Sequence, residues 1–132
     1  MQVQVFVYGT LKPGEANYQH YCEGKVAFHS QAYTYGNLYN LPVGYPGMIE
    51  GKNKVQGVLL TFRDSNILNS LDKLESYQEN RAFHLNQYYR QLVPIFSLND
   101  ESLGKAWSYF MTPEKVKQFK GTLINSGWWI SQ

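Results

Sequence analysis

Cysteine is nearly absent from the sequence. Cys22 stands alone, so no internal disulfide can form, and a reducing, cytoplasmic setting is the expectation. No charged-then-apolar leader precedes the first predicted strand, and no apolar run approaches the roughly 18 residues that a membrane span needs. Membrane partners are therefore not expected. Charge is sparse too: charged residues make up 17% of the chain, the net charge is +2, and only Lys115, Lys117 and Lys120 lie close together. That pattern lacks the basic footprint of a nucleic-acid-binding protein. The chain has no G-x-S-x-G nucleophile elbow, no phosphate loop ending in Gly-Lys and no G-x-G-x-x-G dinucleotide fingerprint. His20, His29 and His84 are far apart and show no metal-ligand spacing. Neither a metal nor a cofactor is expected.

Apolar and aromatic residues are plentiful. Hydrophobic residues form 43% of the 132-residue chain, with 11 Tyr, 7 Phe and 3 Trp. A chain of this length fits one domain spanning residues 1–132 and can bury roughly two thirds of its unfolded surface. Val3, Val5 and Val7 alternate with Gln4 and Phe6, the period of a strand, and the run breaks into Tyr8-Gly9-Thr10-Leu11-Lys12-Pro13-Gly14. A strand stopping in a tight glycine-containing loop suits a small anion, since backbone N–H groups can approach a ligand there, and a helix over 15–22 would start nearby. The same pattern also describes a strand-to-turn junction that holds no ligand.

Further along, 25–41 reads as extended chain with Gly36 as a bulge or close-approach glycine, and 41–47, with two prolines and two glycines, reads as a loop. Strand character returns over 55–62. Ile67, Leu68, Leu71 and Leu74 then fall at helical spacing, which predicts a helix over 64–76 capped by Asp64 or Ser65. Residues 85–98 return to strand, with Pro94 marking an edge or bulge, and 105–111 form another. Pro113 to Lys120 predicts a helix with Thr112 at its N-cap and Gly121 after its end. The apolar tail around Trp128 and Trp129 is expected to pack. Strands mostly adjoin strands, so the expected fold is α+β and mostly antiparallel, curled or closed into a barrel.

Glu75 is the residue whose position conflicts with its chemistry. At about 100° per residue it projects inside the arc of the four aliphatic residues, so a carboxylate is predicted on the core-facing side. Burial disfavours the charged form and raises the pKa towards the range where one group can both take and return a proton near neutrality. The ordinary alternatives are a helix that frays before Glu75, or pairing with Arg63, Arg81 or Arg90. Asp72, at the edge of the arc, reads as a solvated or helix-bonded residue. Cys22 reads as a small apolar residue, and Tyr88, Tyr89 and Arg90 read either as pocket lining or as cross-strand packing.

Over nearly its full length the chain resembles the gamma-glutamylcyclotransferase-like family. The segments that carry the resemblance are Tyr8 to Gly14, Gly36-x-Leu38-Tyr39 followed by Tyr45-Pro46-Gly47, Val55-x-Gly57-x-Leu59, Leu71-Asp72-x-Leu74-Glu75-x-Tyr77, Tyr88-x-Arg90, Ala106-Trp107-x-Tyr109 and Ser126-Gly127-x-Trp129. Seven short segments in the family's order are specific where each alone is not. The resemblance implies a small, mostly antiparallel β-barrel flanked by short helices, with the ligand pocket beside the first loop. It implies that the backbone of Tyr8, Gly9, Thr10 and Leu11 holds the α-carboxylate of a gamma-glutamyl group, that Tyr88 lines the pocket and that Glu75 is the acid/base. Trp128 departs from the family, many members having a small or acidic residue there, which bears on specificity at the rim.

The implied activity is conversion of a gamma-glutamyl amide into 5-oxoproline and a free amine, with a small-molecule substrate as partner and no cofactor. Two other readings stand beside it: a non-catalytic domain of the same fold that binds an amino-acid-like ligand, and an interaction module using its aromatic surface. The leaving amine, the oligomeric state and the roles of Tyr45 and Arg90 are not legible in the sequence.

Overall fold

The computed structural model describes residues 2–78 and 86–131. The strands are β1 (Val3–Val7), β2 (Val26–Asn40), β3 (Pro46–Phe62), β4 (Tyr89–Phe96), β5 (Ser102–Phe110) and β6 (Thr122–Leu123), and the helices are α1 (Tyr18–Tyr21), α2 (Ile67–Leu74) and α3 (Pro113–Gln118). The sheet runs β3-β1-β5-β4-β2-β6, and β2 also pairs with β3, so the first five strands close into a ring with β6 on the edge of β2. All pairings are antiparallel except that of β1 with β5, at Val5 opposite Trp107. The expected mixed, mostly antiparallel α+β fold is what forms, as a closed-ring sheet.

Closure explains why β1 is apolar on both faces. Val5 and Val7 join Leu60, Phe62, Ile67 and Leu71 in a cluster that α2 covers. Phe6 points the other way, into a cluster that draws on every strand of the ring, including Ala32, Met48, Ile95 and Phe110. Val5, Leu60 and Leu71 are each 0% exposed, and full burial of such a side chain contributes roughly 1.5–3 kcal/mol.

Several local expectations need correction. The region 41–47 is not all loop: Pro46 pairs with Asn40 and Gly47 with Tyr39, so β3 starts at Pro46 and runs through 48–54 as well. Proline is tolerated there because it occupies the first position of the strand. The helix over 15–22 shrinks to the single turn of α1, after a chain of turns from Gly9 to Asn17. The N-cap position of α2 is Asn66, whose side chain makes no cap bond, while Asp64, one of the two expected caps, accepts from the Asn66 N–H at 3.0 Å just before the helix. The α3 reading holds: Thr112 accepts from the Lys115 N–H at 3.2 Å and Pro113 opens the helix, although the left-handed residue after it is Lys120 rather than Gly121. Register shifts occur at Gly36/Asn37 and between Pro94 and Phe96, where irregularity was expected. Trp129 packs at 3% exposure. Among the described residues, no helix is long and apolar enough to cross a membrane.

At Gly57 the backbone of β3 runs against β1 so closely that an added Cβ would strike the Val7 carbonyl oxygen and approach Phe6 Cζ at 2.8 Å. Gly57→Ala is therefore expected to cost about 2 kcal/mol or more by overpacking. Equilibrium urea unfolding checks this, with an unchanged midpoint as the contrary result.

Candidate active site

Glu75 lies at the C-cap of α2, one residue beyond the helix body. The end is a Schellman turn: the Tyr77 N–H reaches the Asp72 carbonyl at 2.9 Å, the Ser76 N–H reaches that of Lys73 at 3.2 Å, and Ser76 takes a left-handed φ of 52°. This turn fixes the direction of Glu75 instead of letting the end fray into solvent. Its main-chain carbonyl accepts from the Tyr88 N–H at 3.2 Å, tying the helix end to the approach of β4.

The side chain faces a cavity of about 220 Å³ that is also lined by Tyr8, Gly9, Thr10, Leu11 and Tyr88. Every site residue inferred from the sequence thus meets at one cavity. Glu75 keeps some exposed surface, but protein encloses its carboxyl, and burial pushes its pKa up to about 8. Among the described residues none donates a hydrogen bond to that carboxylate. The pairing alternatives resolve for Arg90, which binds Asp72; Arg81 and His84 lie outside the described residues.

The loop after β1 is a compact turn. The Lys12 N–H donates to the Gly9 carbonyl at 3.0 Å and the Asn17 N–H to the Thr10 carbonyl at 2.9 Å, while the amides of Gly9, Thr10 and Leu11 have no protein acceptor among the described residues. Free adjacent amides of this kind suit an anion. They come from the turn itself and not from a helix N-terminus, because α1 begins only at Tyr18. Gly9 is required for packing: a Cβ there would lie 2.7 Å from Pro46 Cγ, and Pro46 also lines the cavity.

Hydroxyls knit the walls together. Tyr8 donates to the Tyr109 carbonyl at 2.7 Å and Tyr88 to the Pro46 carbonyl at 2.6 Å. Burial raises the pKa of both. With their hydroxyls engaged, Tyr8 and Tyr88 offer a ligand mainly their ring faces. Tyr89 instead stacks on Phe110 and faces the other cluster.

Asp72 is neither solvated nor helix-bonded, contrary to the sequence reading. It accepts from the Tyr109 hydroxyl at 2.6 Å and from Arg90 Nε at 2.9 Å, and the Arg90 guanidinium lies 4.5 Å from the Trp107 ring centre. The pair pins α2 to β4 and β5 and so holds Glu75 over the cavity. Lys12, 2% exposed, is a second pin: its Nζ donates to the Trp129 carbonyl at 2.6 Å and sits 3.4 Å from the Trp128 ring centre. Burial lowers its pKa. Trp128 therefore braces the loop from behind. Asn17, Gln87 and Tyr109 also line the cavity, a role that no local pattern around them signals, and the Tyr45 role left open is that of a wall, its hydroxyl accepting from Gln87 Nε2 at 2.5 Å. Cys22 is buried, with its thiol pushed up to about 11, which leaves it unreactive. Among the described residues no group of His, Cys, Asp and Glu has the makings of a metal site.

Comparison with known proteins gives this geometry a family. The sequence profile described as "Gamma-glutamyl cyclotransferase, AIG2-like" matches residues 5–131. The chain belongs to that family. A protein of Halalkalibacterium halodurans named "Putative gamma-glutamylcyclotransferase" is 35% identical over 109 residues, covering 81% of this chain and 89% of the relative. Among solved structures, an AIG2-like protein from Mus musculus superposes with a TM-score of 0.72 at 20% identity, over 98% of this chain and 88% of that one. YkqA from Bacillus subtilis gives 0.69 at 26% identity, over 98% of this chain but only 40% of the YkqA chain. The likeness to the mouse protein establishes the fold alone.

Removing charge from the Asp72–Arg90 pair leaves a guanidinium without its partner in a site where the two side chains are only 16% and 18% exposed. Asp72→Asn is expected to lower stability by roughly 1–3 kcal/mol, read from chemical denaturation. A variant as stable as the parent would show that the pair does not hold α2.

Proposed function

We propose that this chain is a gamma-glutamyl cyclotransferase that converts a gamma-glutamyl amide into 5-oxoproline and a free amine. The observation that supports this most directly is the arrangement of Glu75 and the Tyr8–Leu11 turn around one cavity, the carboxyl raised by burial and the amides of the turn without an acceptor among the described residues. In such a substrate the nucleophile is internal. The α-nitrogen attacks the γ-carbonyl carbon, the ring C–N bond forms, and the bond to the leaving nitrogen breaks. Two protons leave the α-ammonium overall: Glu75 takes one and returns it to the departing nitrogen, and the second ends on the freed amine, which leaves as an ammonium ion in water.

The turn supplies the other requirement. With the α-carboxylate on the amides of Gly9, Thr10 and Leu11 and the glutamyl chain against the rings of Tyr8 and Tyr88, the α-nitrogen is directed at Glu75. Fixing an intramolecular geometry in this way is worth roughly 7–11 kcal/mol of barrier. A carboxyl with a pKa near 8 suits both halves of the proton transfer, because it accepts from an ammonium and donates to the departing nitrogen, which is amine-like once the γ-carbonyl carbon has become tetrahedral, without a large mismatch in either direction. No step of this scheme calls for a nucleophilic side chain or a metal, so activity is expected to be indifferent to EDTA.

The test is a panel of gamma-glutamyl amides assayed for 5-oxoproline. Glu75→Gln is expected to leave a folded chain that still binds 5-oxoproline while turnover falls by about a hundredfold or more. A Gln variant turning over at the parent's rate removes Glu75 from the mechanism, and a parent that binds 5-oxoproline but releases none from the panel favours the non-catalytic reading.

The raised pKa also predicts a stability signature. Between the ordinary value of 4.5 and about 8 the folded state holds a proton that the unfolded state has released, so stability falls as pH rises through that window and levels off above it. Glutamine does not titrate. The melting temperature of Glu75→Gln relative to the parent should therefore climb from pH 5 to pH 9, and a constant difference would mean that the Glu75 pKa is ordinary.

A further inference from the structure

Thr10 is gripped twice by one residue. Asn17 Nδ2 donates to Thr10 Oγ1 at 2.8 Å, and the Asn17 N–H donates to the Thr10 carbonyl at 2.9 Å. Asn17 stands at the N-cap of α1, where an asparagine side chain usually accepts from the first helical amides, yet it makes no cap bond. It is turned away from its helix and towards the loop, and both Asn17 and Thr10 line the cavity.

The direction of that hydrogen bond matters. A hydroxyl has one hydrogen and two lone pairs, and an amide nitrogen only donates. With Asn17 Nδ2 on a lone pair of Thr10 Oγ1, the hydroxyl hydrogen is not spent on Asn17, and no acceptor among the described residues takes it. Thr10 is half-buried and sits between the free amides of Gly9 and Leu11. Its hydrogen is thus left for whatever occupies the turn.

We propose that Asn17 is a positioning residue that sets the Thr10 hydroxyl as a hydrogen-bond donor to the α-carboxylate of the substrate. The proposal rests on the reading of the Tyr8–Leu11 turn as the carboxylate site. It adds a side-chain donor to the backbone amides and makes that donor depend on a residue outside the turn.

The test reverses the polarity without changing the size. Asn17→Asp offers Thr10 only acceptors, so the hydroxyl hydrogen turns back towards residue 17 and is lost to the ligand. The KM for a gamma-glutamyl amide and the Kd for 5-oxoproline should rise about tenfold or more, the worth of a hydrogen bond to a charged group, with kcat within about threefold of the parent. Thr10→Val should weaken binding similarly and Thr10→Ser should not. In the Thr10→Val background Asn17→Asp should cost at least about threefold less than it does with Thr, because the repulsion between the added carboxylate and that of the ligand is common to both backgrounds and only the redirected hydroxyl is missing. An Asn17→Asp variant that binds as the parent does, or that loses as much with Val at position 10 as with Thr, overturns the proposal and leaves Asn17 a brace of the turn. A parent chain that neither binds 5-oxoproline nor releases it overturns the reading beneath it as well, so the two failures are told apart by the parent alone.

Discussion

The fold depends on β1 being paired along both edges. β3 runs antiparallel to it through Val3 opposite Phe62 to Val7 opposite Val58, and β5 lies parallel on the other side. The second half of β1 is buried on both faces, Val5 and Val7 in one cluster and Phe6 in the other, and it delivers its last residues to a fixed point between two cores. Tyr8 and Gly9 emerge there, and the Pro46 ring behind Gly9 leaves no room for a side chain. The geometry of the turn is therefore inherited from the sheet. A flexible loop would have to be ordered on binding, at an entropic cost, whereas this one is already shaped by what it packs on.

Glu75 poses the opposite problem. Burying a carboxyl that has no hydrogen-bond donor destabilises the fold wherever the group is ionised. The surroundings hold it there regardless: the Schellman turn fixes the end of α2, the Asp72–Arg90–Tyr109 contacts pin the helix to β4 and β5, and the Glu75 carbonyl accepts from Tyr88. Among the described residues Asp72 and Arg90 pair with each other rather than with Glu75, which leaves Glu75 available to a ligand.

Much of this was legible in the residues, and the failures are instructive. The period of Ile67, Leu68, Leu71 and Leu74 placed Glu75 on the apolar side of α2 even though the helix stops just before it, because the Schellman turn continues the helical direction for one more residue. Thr112 and Pro113 announced α3 by chemistry that acts within one turn. Pro46 and Gly47 misled because a proline-glycine pair signals a turn locally, while their pairing with Asn40 and Tyr39 is long β-ladder geometry that only the partner strand reveals. Asp72 misled for the same reason, its partners Arg90 and Tyr109 being remote in the chain.

The sequence by itself determined what depends on near neighbours: the alternation of β1, the face of α2 that carries Glu75, the N-terminal cap of α3 and the seven ordered segments that mark the family. Tertiary structure alone decided which remote residues share the cavity, which carboxylate has a partner among the described residues and which has none, and how Lys12 from behind and Asn17 from the cavity side hold the turn. The physical reason is separation along the chain. Asp72 could be neutralised by any of several arginines, and only ring closure brings Arg90 within 2.9 Å of it and leaves Glu75 facing Tyr8-Gly9-Thr10-Leu11.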